Sequence, residues 1–168
     1  AIEAVADVLE PLFTRIGDDW EEGTLSVAHE HLATQAIRVR LGRGLSDARG
    51  GVRGTAVLAC LPGERHDVGL LMLAVLLQAD GWSVAYLGAD TPVDAAVSLA
   101  RTLGASLLCY STTHGGNDGV ALGPMPDRTT AVLGGRAATE ELAERLGAVH
   151  TAARAADSVA DLRRYAAV

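Results

Sequence analysis

The chain has 168 residues, of which 49% are hydrophobic and 21% charged, and 21 acidic against 14 basic residues give it a net charge of −7. This composition predicts a folded domain with a sizeable core, and the acidic balance argues against direct binding to nucleic acid. No apolar run reaches the roughly 18 residues that a membrane span needs, and no signal peptide opens the chain, so we expect a cytoplasmic protein with no membrane partner.

Residues 1–48 carry the pattern of helices. Apolar residues recur every three or four positions through the first twelve, which gives one helix an apolar face. The run GDDWEEG is expected to break this helix, and Thr24 or Ser26 could cap the next one. Two or three helices cannot easily close a core alone, so we predict that residues 1–48 form a helical-bundle cap packed on the rest of the chain.

From residue 49 the sequence alternates between short apolar strands and helices. The predicted strands occupy residues 55–61, 83–88, 106–111, 130–135 and 148–151, and the predicted helices occupy residues 67–80, 91–104, 138–147 and 154 onward. Continuous apolar strands separated by helices are typical of a parallel sheet covered on both faces. We therefore predict an α/β fold in which the cap precedes a doubly wound, flavodoxin-like parallel sheet of five strands over residues 49–168. Such sheets bind ligands beyond the carboxyl ends of their strands, where the strand order switches.

A charged loop with a histidine follows the first predicted strand. His66 lies just past the carboxyl end of this strand, and Asp67 could cap the next helix, which Gly81 would end. Gly69 leaves the first helical turn open to a flat ligand. Imidazole is a good ligand for a borderline metal, and Glu64 could accept a hydrogen bond from its other nitrogen. Taken alone, however, the loop favours an exposed surface histidine beside a solvated Glu-Arg pair.

Three motifs make the chain resemble the Rossmann-like cobalamin-binding domain of corrinoid proteins: Glu64-Arg65-His66-Asp67-Val68-Gly69, Ser111-Thr112-Thr113 and Gly134-Gly135. The resemblance implies that cobalamin is bound base-off, with His66 as the lower axial ligand of cobalt in place of the benzimidazole. It also implies that the nucleotide tail enters a slot in the sheet beside Ser111, Thr113 and the glycine pair, and that the rest of the histidine loop contacts the cofactor. His114, at the same sheet edge, is a further candidate contact.

The resemblance is weakest between the second and third motifs. Only 20 residues separate Thr113 from Gly134, fewer than the family usually has, and the Gly- and Pro-rich run HGGNDGVALGPMPDR stands where a full helix is expected. We therefore expect the third helix of the sheet domain, and part of the wall of the tail slot, to be altered. The histidine loop is not affected.

A further motif lies in the helical half. Trp20 is followed, after nine residues, by Glu30-His31, which resembles the W-x9-EH motif of the CarH-like adenosylcobalamin photoreceptors, in which a helical bundle covers the upper face of the corrin. The resemblance implies that these three residues line the upper face, that adenosylcobalamin is the cofactor, and that an output domain outside this chain and a homo-oligomer are the partners. In light-sensing members a second histidine follows the motif tryptophan and takes the upper cobalt position after photolysis. Glu21 stands there in this chain, so that state is not available through this residue.

Three functions remain open from the sequence. The first is a cobalamin-bound light sensor, not an enzyme, whose cap signals when the upper ligand is lost. The second is a sensor of the photocobilin type that binds a bilin, such as biliverdin, beside cobalamin; the missing upper histidine, the small residues of the cap and the shortened third helix could make room for it. The third is a corrinoid methyl carrier of a methyltransferase, which would share the histidine loop but not the W-x9-EH motif. No P-loop, dinucleotide or hydrolase motif supports a competing interpretation.

Overall fold

The computed structural model of the chain describes residues 5–45, 51–116, 119–152 and 154–166. A short π-helical turn at Val5–Leu9 precedes the helices α1 Glu10–Glu21, α2 Val27–Leu45, α3 Val68–Ala79, α4 Val93–Leu103, α5 Glu140–Leu146 and α6 Ala155–Leu162, and a 3-10 turn follows at Arg163–Tyr165. The strands are β1 Thr55–Cys60, β2 Ser83–Gly88, β3 Leu107–Ser111, β4 Thr130–Gly134 and β5 Val149–His150. Within these residues no helix combines the length and the apolarity that crossing a lipid bilayer requires.

The five strands form one parallel sheet in the order β2-β1-β3-β4-β5. From β1 the chain adds β2 on one side and then returns to place β3, β4 and β5 on the other side. The strand order therefore switches between β1 and β3, and a crevice is expected at the carboxyl ends of these two strands. The predicted α/β fold with a doubly wound sheet of five parallel strands is confirmed.

Two apolar layers cover the sheet, and alternate residues of β1 serve them in turn. Leu58 and Cys60 face the layer built with α2, α3 and α6, whereas Val57 and Ala59 face the layer built with α4 and α5. This burial on both faces explains why the strands are continuous apolar runs in the sequence. It also leaves the carboxyl edge of the sheet as the place where polar side chains collect.

The helical segment is docked on the sheet domain by apolar and polar contacts. Ile37 and Leu41 of α2 are buried in the layer that contains α3. In α1, the Glu10 carboxylate accepts a hydrogen bond of 2.8 Å from the backbone N–H of Ala155 at the start of α6. The first part of the chain thus packs on the sheet domain, as its pattern predicted.

The first helix ends within the run GDDWEEG, as predicted. Helix α1 continues through Gly17 and ends at Glu21, and Gly23 follows with φ +74°. Phe13 and Ile16 pack against the first apolar layer, and this packing outweighs the cost of about 1 kcal/mol that glycine adds to a helix. At the start of α2 the Ser26 hydroxyl accepts a hydrogen bond of 3.4 Å from the N–H of His29. The predicted boundary at residues 48–49 lies outside the described residues.

The connection between β3 and β4 lacks the helix that usually covers a parallel sheet at this point. Its described residues contain neither helix nor strand, as the Gly- and Pro-rich sequence predicted. Leu122 is nevertheless buried in the layer built with α4 and α5. The irregular segment therefore takes over part of the packing that a helix would provide.

Candidate functional site

The histidine loop, residues 61–67, lies at the carboxyl end of β1 beside the switch in strand order. The His66 side chain is 60% exposed, and its Nδ1 lies 2.7 Å from Oε1 of Glu64. Because a carboxylate only accepts, Nδ1 carries the proton of this contact, and in the neutral imidazole the free electron pair then lies on Nε2. Glu64 therefore accepts a hydrogen bond from the His66 ring, as the sequence predicted.

Glu64 is a buried acidic side chain of the loop and is only 5% exposed. Its Oε1 accepts hydrogen bonds from the backbone N–H and the Nδ1 of His66, and its Oε2 accepts from the backbone N–H groups of Thr113 and His114. Burial raises the pKa of Glu64, but these hydrogen bonds lower it more, so the pKa lies below its ordinary value. Glu64 is therefore a carboxylate that joins the histidine loop to the end of β3.

His114 is brought against His66, as its position in the sequence suggested. The centroids of the two rings are 4.4 Å apart and their planes are tilted by 38°, while Nδ1 of His114 lies 3.9 Å from Oε2 of Glu64. Glu64, His66 and His114 are close enough to hold a metal ion together. The four hydrogen bonds that Glu64 already accepts compete with this use, so the cluster is better suited to orient His66.

Asp67 does not cap α3, and that prediction is wrong. It occupies the N-cap position without a side-chain hydrogen bond to the helix. Its carboxylate instead lies 2.7 Å from the Arg38 guanidinium of α2 and accepts a hydrogen bond of 2.9 Å from the Tyr86 hydroxyl of β2. The ion pair with Arg38 stabilises the charge of this buried carboxylate, which a capping contact alone would leave uncompensated.

The remaining residues of the loop differ in exposure. Arg65 and Gly69 are exposed, and a Cβ added to Gly69 would meet no atom within 4 Å. Val68, in contrast, is only 3% exposed and packs in the first apolar layer, so its side chain serves the core. Besides His66, the exposed positions of the motif are therefore Arg65 and Gly69.

The serine–threonine motif and the glycine pair meet at the neighbouring strand ends. Ser111 and Gly134 are partners across β3 and β4, and the N–H of Thr112 donates to the carbonyl of Gly134. Gly135 has φ +105°, and a Cβ there would lie 2.3 Å from the carbonyl oxygen of Thr112. Thr113 lies two residues beyond β3, which ends at Ser111 as predicted.

Thr151 was not singled out from the sequence, and it lies beside the same glycine pair. Its methyl group would be 2.9 Å from a Cβ at Gly134, and its Oγ1 is buried without a hydrogen-bond partner among the described residues. No local signal distinguishes this threonine, because its neighbour Gly134 comes from another strand.

The residues of the W-x9-EH motif lie at the junction of α1 and α2. Trp20 is 46% exposed, His31 is largely exposed, and its Nδ1 lies next to the Glu30 carboxylate. Burial raises the pKa of Glu30, but hydrogen bonds from Thr34 and His31 and the charges of His31 and His66 lower it more. The influence of His66 indicates that the start of α2 and the histidine loop are electrostatically close.

Asp90, in the loop after β2, is another residue of this region that was not predicted from the sequence. Its Oδ1 accepts a hydrogen bond of 2.7 Å from the N–H of Gly63, and its own N–H donates to the carbonyl of Glu64 over 2.8 Å. It adopts a left-handed conformation with φ +45°. The only signal in the sequence is an aspartate before Thr91-Pro92, at the same sheet edge as His66.

Two clefts open near the histidine loop. One, of about 380 Å³, lies between α2, α3 and β2 beside Arg38, Asp67 and Tyr86. The other, of about 790 Å³, lies between α4 and residues 119–124, and Pro62 and Asp90 form part of its wall.

Comparison with known proteins gives two family models described as B12 binding domains, which match residues 54–162 and residues 1–43. The transcriptional repressors CarH and CarA of Myxococcus xanthus are 43% and 45% identical over 93 and 98 residues, which cover 55% and 56% of this chain. The chain spans about a third of the length of these repressors, 31% and 32%.

Corrinoid proteins align over more of the chain at lower identity. Dimethylamine corrinoid protein 2 of Methanosarcina acetivorans is 26% identical over 182 residues, covering 95% of this chain and 84% of that protein. The structure of the monomethylamine corrinoid protein of Methanosarcina barkeri superposes with a TM-score of 0.70 at 21% identity, covering 90% of this chain and 77% of that one.

Proposed function

We propose that this chain, which belongs to the B12 binding domain family and is a cobalamin-binding domain, is the light-sensing part of a regulatory protein with His66 as the lower ligand of cobalt. The observation that carries the proposal is the pairing of His66 Nδ1 with the buried carboxylate of Glu64, at the switch in strand order. Metal-binding histidines generally hold their second nitrogen in this way, which fixes the tautomer and the orientation of the ring.

The residues around His66 fit a large flat cofactor with a polar tail. Gly69 leaves the surface beside the histidine ring open. On the other side, the buried Oγ1 of Thr151 offers an unpartnered polar atom beside Gly134. We infer that Ser111, Thr151 and the glycine pair receive the nucleotide tail, while the exposed face of the loop lies under the corrin.

The cap supplies the opposite side of the proposed site. Cobalamin in its adenosyl form provides a cobalt–carbon bond that light breaks. Trp20 is half exposed, and Glu30 lies within the electrostatic reach of His66. We propose that Trp20 contacts the adenosyl group, that Glu30 and His31 add polar contacts, and that the cap moves when these contacts are lost.

The proposed partners of the sensor are an output domain or effector outside this chain and further copies of the chain. DNA binding is not assigned to the chain itself, because its net charge of −7 opposes contact with phosphates. We assign it no catalytic activity; the function of its side chains is to hold the cofactor and to transmit its state.

Replacement of His66 by alanine tests the proposal. In the dark, His66→Ala should bind adenosylcobalamin at least about tenfold more weakly, and the bound cofactor should lose the spectrum of an imidazole-ligated state. His29→Ala is the matched control, because His29 lies on α2 with its Nδ1 2.7 Å from the Ser26 hydroxyl, and it should behave as wild type. Unchanged affinity and an unchanged visible spectrum in His66→Ala would contradict the proposal. Illumination of the loaded wild type should then alter its proteolysis pattern within the cap.

A corrinoid methyl carrier is the alternative that the alignment over 95% of the chain favours. It predicts that light leaves the conformation of the cap unchanged and that the reduced, loaded chain accepts a methyl group from a partner methyltransferase. Trp20→Ala separates the two functions: it should abolish the response of a sensor to light, whereas a carrier has no response to lose.

A sensor with a second chromophore is favoured by one observation. The irregular segment between β3 and β4 leaves the cleft of about 790 Å³ against α4, which is within the usual size range of small-molecule sites. Val93, Val97 and Leu122 supply apolar wall, and Arg101 could pair with a bilin propionate. Biliverdin added to the cobalamin-loaded chain should then give a red absorption band that Arg101→Ala weakens. Absence of the band at saturating biliverdin would exclude this candidate.

A further inference from the structure

The loop that carries His66 has no secondary structure of its own between β1 and α3. Within it, the N–H of Glu64 donates to the carbonyl of Leu61, and Gly63 has φ +83°. Two hydrogen bonds from outside the loop hold the peptide groups on either side of this point, Pro62–Gly63 and Glu64–Arg65, and both are made with Asp90. The Asp90 carboxylate accepts from Gly63 N–H at 2.7 Å, and the Asp90 N–H donates to Glu64 C=O at 2.8 Å.

Asp90 makes both contacts with a left-handed backbone. Its φ is +45°, and among the described non-glycine residues only Arg128, with φ +67°, also has a positive φ. Aspartate tolerates this conformation better than most residues, but it remains less favourable than the ordinary helical or extended regions. Backbone strain of this kind persists where surrounding contacts impose it, and it is concentrated at functional sites.

Asp90 influences the orientation of His66 through one intermediate residue, Glu64. Because Asp90 fixes the backbone of Glu64, it fixes the origin of the buried carboxylate that accepts from His66 Nδ1 and from the N–H groups of Thr113 and His114. A shift of the backbone on either side of Glu64 would move this carboxylate away from His66 in the same loop and from Thr113 and His114 just after β3. The direction of the imidazole therefore depends on Asp90, although Asp90 does not touch it.

We propose that Asp90 is a positioning residue for the metal-binding imidazole, and that its two hydrogen bonds hold the histidine loop in the conformation that presents Nε2 to cobalt. This inference rests on the proposed function, in which His66 is the lower ligand.

Three substitutions separate the contribution of the Asp90 side-chain acceptor from that of its left-handed backbone. Asp90→Asn keeps both an acceptor for Gly63 and the tolerance of left-handed backbone. Asp90→Gly relieves the backbone strain but removes the acceptor, and Asp90→Ala removes the acceptor and keeps the strain. Asp94→Ala is the matched control, because Asp94 is also exposed and lies on the wall of the same cleft, in the first turn of α4.

The measurements are the cobalamin affinity, the melting temperature of the cofactor-free chain, and the nitrogen splitting in the electron paramagnetic resonance spectrum of the Co(II) form, which reports imidazole on cobalt. Asp90→Ala and Asp90→Gly should bind cobalamin about tenfold more weakly, the lower end of the range for outer partners of a metal-binding histidine, and should lose or broaden the splitting. Asp90→Asn and Asp94→Ala should retain wild-type values. Asp90→Gly should melt within about 3 °C of wild type, since the relieved strain offsets the lost hydrogen bond.

Wild-type affinity and splitting in both Asp90→Ala and Asp90→Gly would overturn the positioning role, and so would failure of Asp90→Asn to retain the splitting while Asp94→Ala retains it. Failure of the proposed function has a different signature. In that case wild type itself shows no imidazole splitting and His66→Ala binds as wild type does, which removes the role of Asp90 as well. Splitting that is present in wild type and insensitive to Asp90 refutes only the present inference.

Discussion

Replacing Glu64 by glutamine is expected to lower the free energy of unfolding of the cofactor-free chain by about 3 kcal/mol. The buried carboxylate accepts four hydrogen bonds, two at each oxygen. A glutamine oxygen can keep two of them, but the NH₂ group then faces two N–H donors whichever way the amide is turned. Two bonds to a charged acceptor are worth about 1.5–3 kcal/mol each, and removing the cost of burying a charge offsets part of their loss.

Urea unfolding at pH 7 measures this change, with Glu140→Gln on the exposed first turn of α5 as the control. The control should stay within about 0.5 kcal/mol of wild type. Because the folded-state pKa of Glu64 is lowered from its ordinary value of 4.5, its stabilisation is present above the unfolded-state pKa and is lost as the pH falls through the folded-state pKa. The difference between wild type and Glu64→Gln should therefore be constant from about pH 6 to 7 and shrink in acid below pH 4.5. A difference under about 1 kcal/mol at pH 7 would refute the hydrogen-bond network described for the loop.

Arg38→Met should destabilise the chain by about 2 kcal/mol in urea unfolding, because it leaves the buried Asp67 carboxylate with Tyr86 but without its cation; this is less than for a fully buried pair, since Arg38 is partly exposed. Adding Asp67→Asn should recover part of the loss, and strict additivity of the two changes would contradict the ion pair. Gly135→Ala should cost at least about 2 kcal/mol, because its φ is +105° and the new Cβ would lie 2.3 Å from the Thr112 carbonyl oxygen. Gly69→Ala should raise stability by up to about 1 kcal/mol, since the added Cβ meets no atom within 4 Å, yet weaken cobalamin binding measured by titration; unchanged binding would place the corrin elsewhere.

The sheet and the place of the histidine loop could be predicted because both follow from local pattern. Apolar runs predicted each strand end to within one residue, and the carboxyl end of β1 was expected to border the switch in strand order. The pairing of His66 with Glu64 was also within reach, because the two residues lie only two positions apart.

The misjudged residues depend on partners that are distant in the sequence. Asp67 has the local sequence pattern of a helix cap, but its carboxylate forms an ion pair with Arg38, 29 residues away. The role of Asp90 depends on a left-handed backbone and on a contact with Gly63, 27 positions earlier. Neither feature can be recognised from the residues next to Asp90 in the sequence.

The same long-range contacts determine when the histidine loop can form during folding. Residues of this loop form hydrogen bonds with Arg38, Asp90 and Thr113, and the bonded residues are 29, 27 and 49 positions apart in the sequence. Contacts that close long stretches of chain form late, because their entropy cost must be met before they contribute. During synthesis the carboxylate of Glu64 can accept all four hydrogen bonds only after residues 113 and 114 have emerged and β3 has paired with β1. A nascent chain that has β1 and its histidine but not yet β3 therefore lacks two of the four hydrogen bonds that hold Glu64, and we expect competence to take up the cofactor to arise late in the growth of the domain.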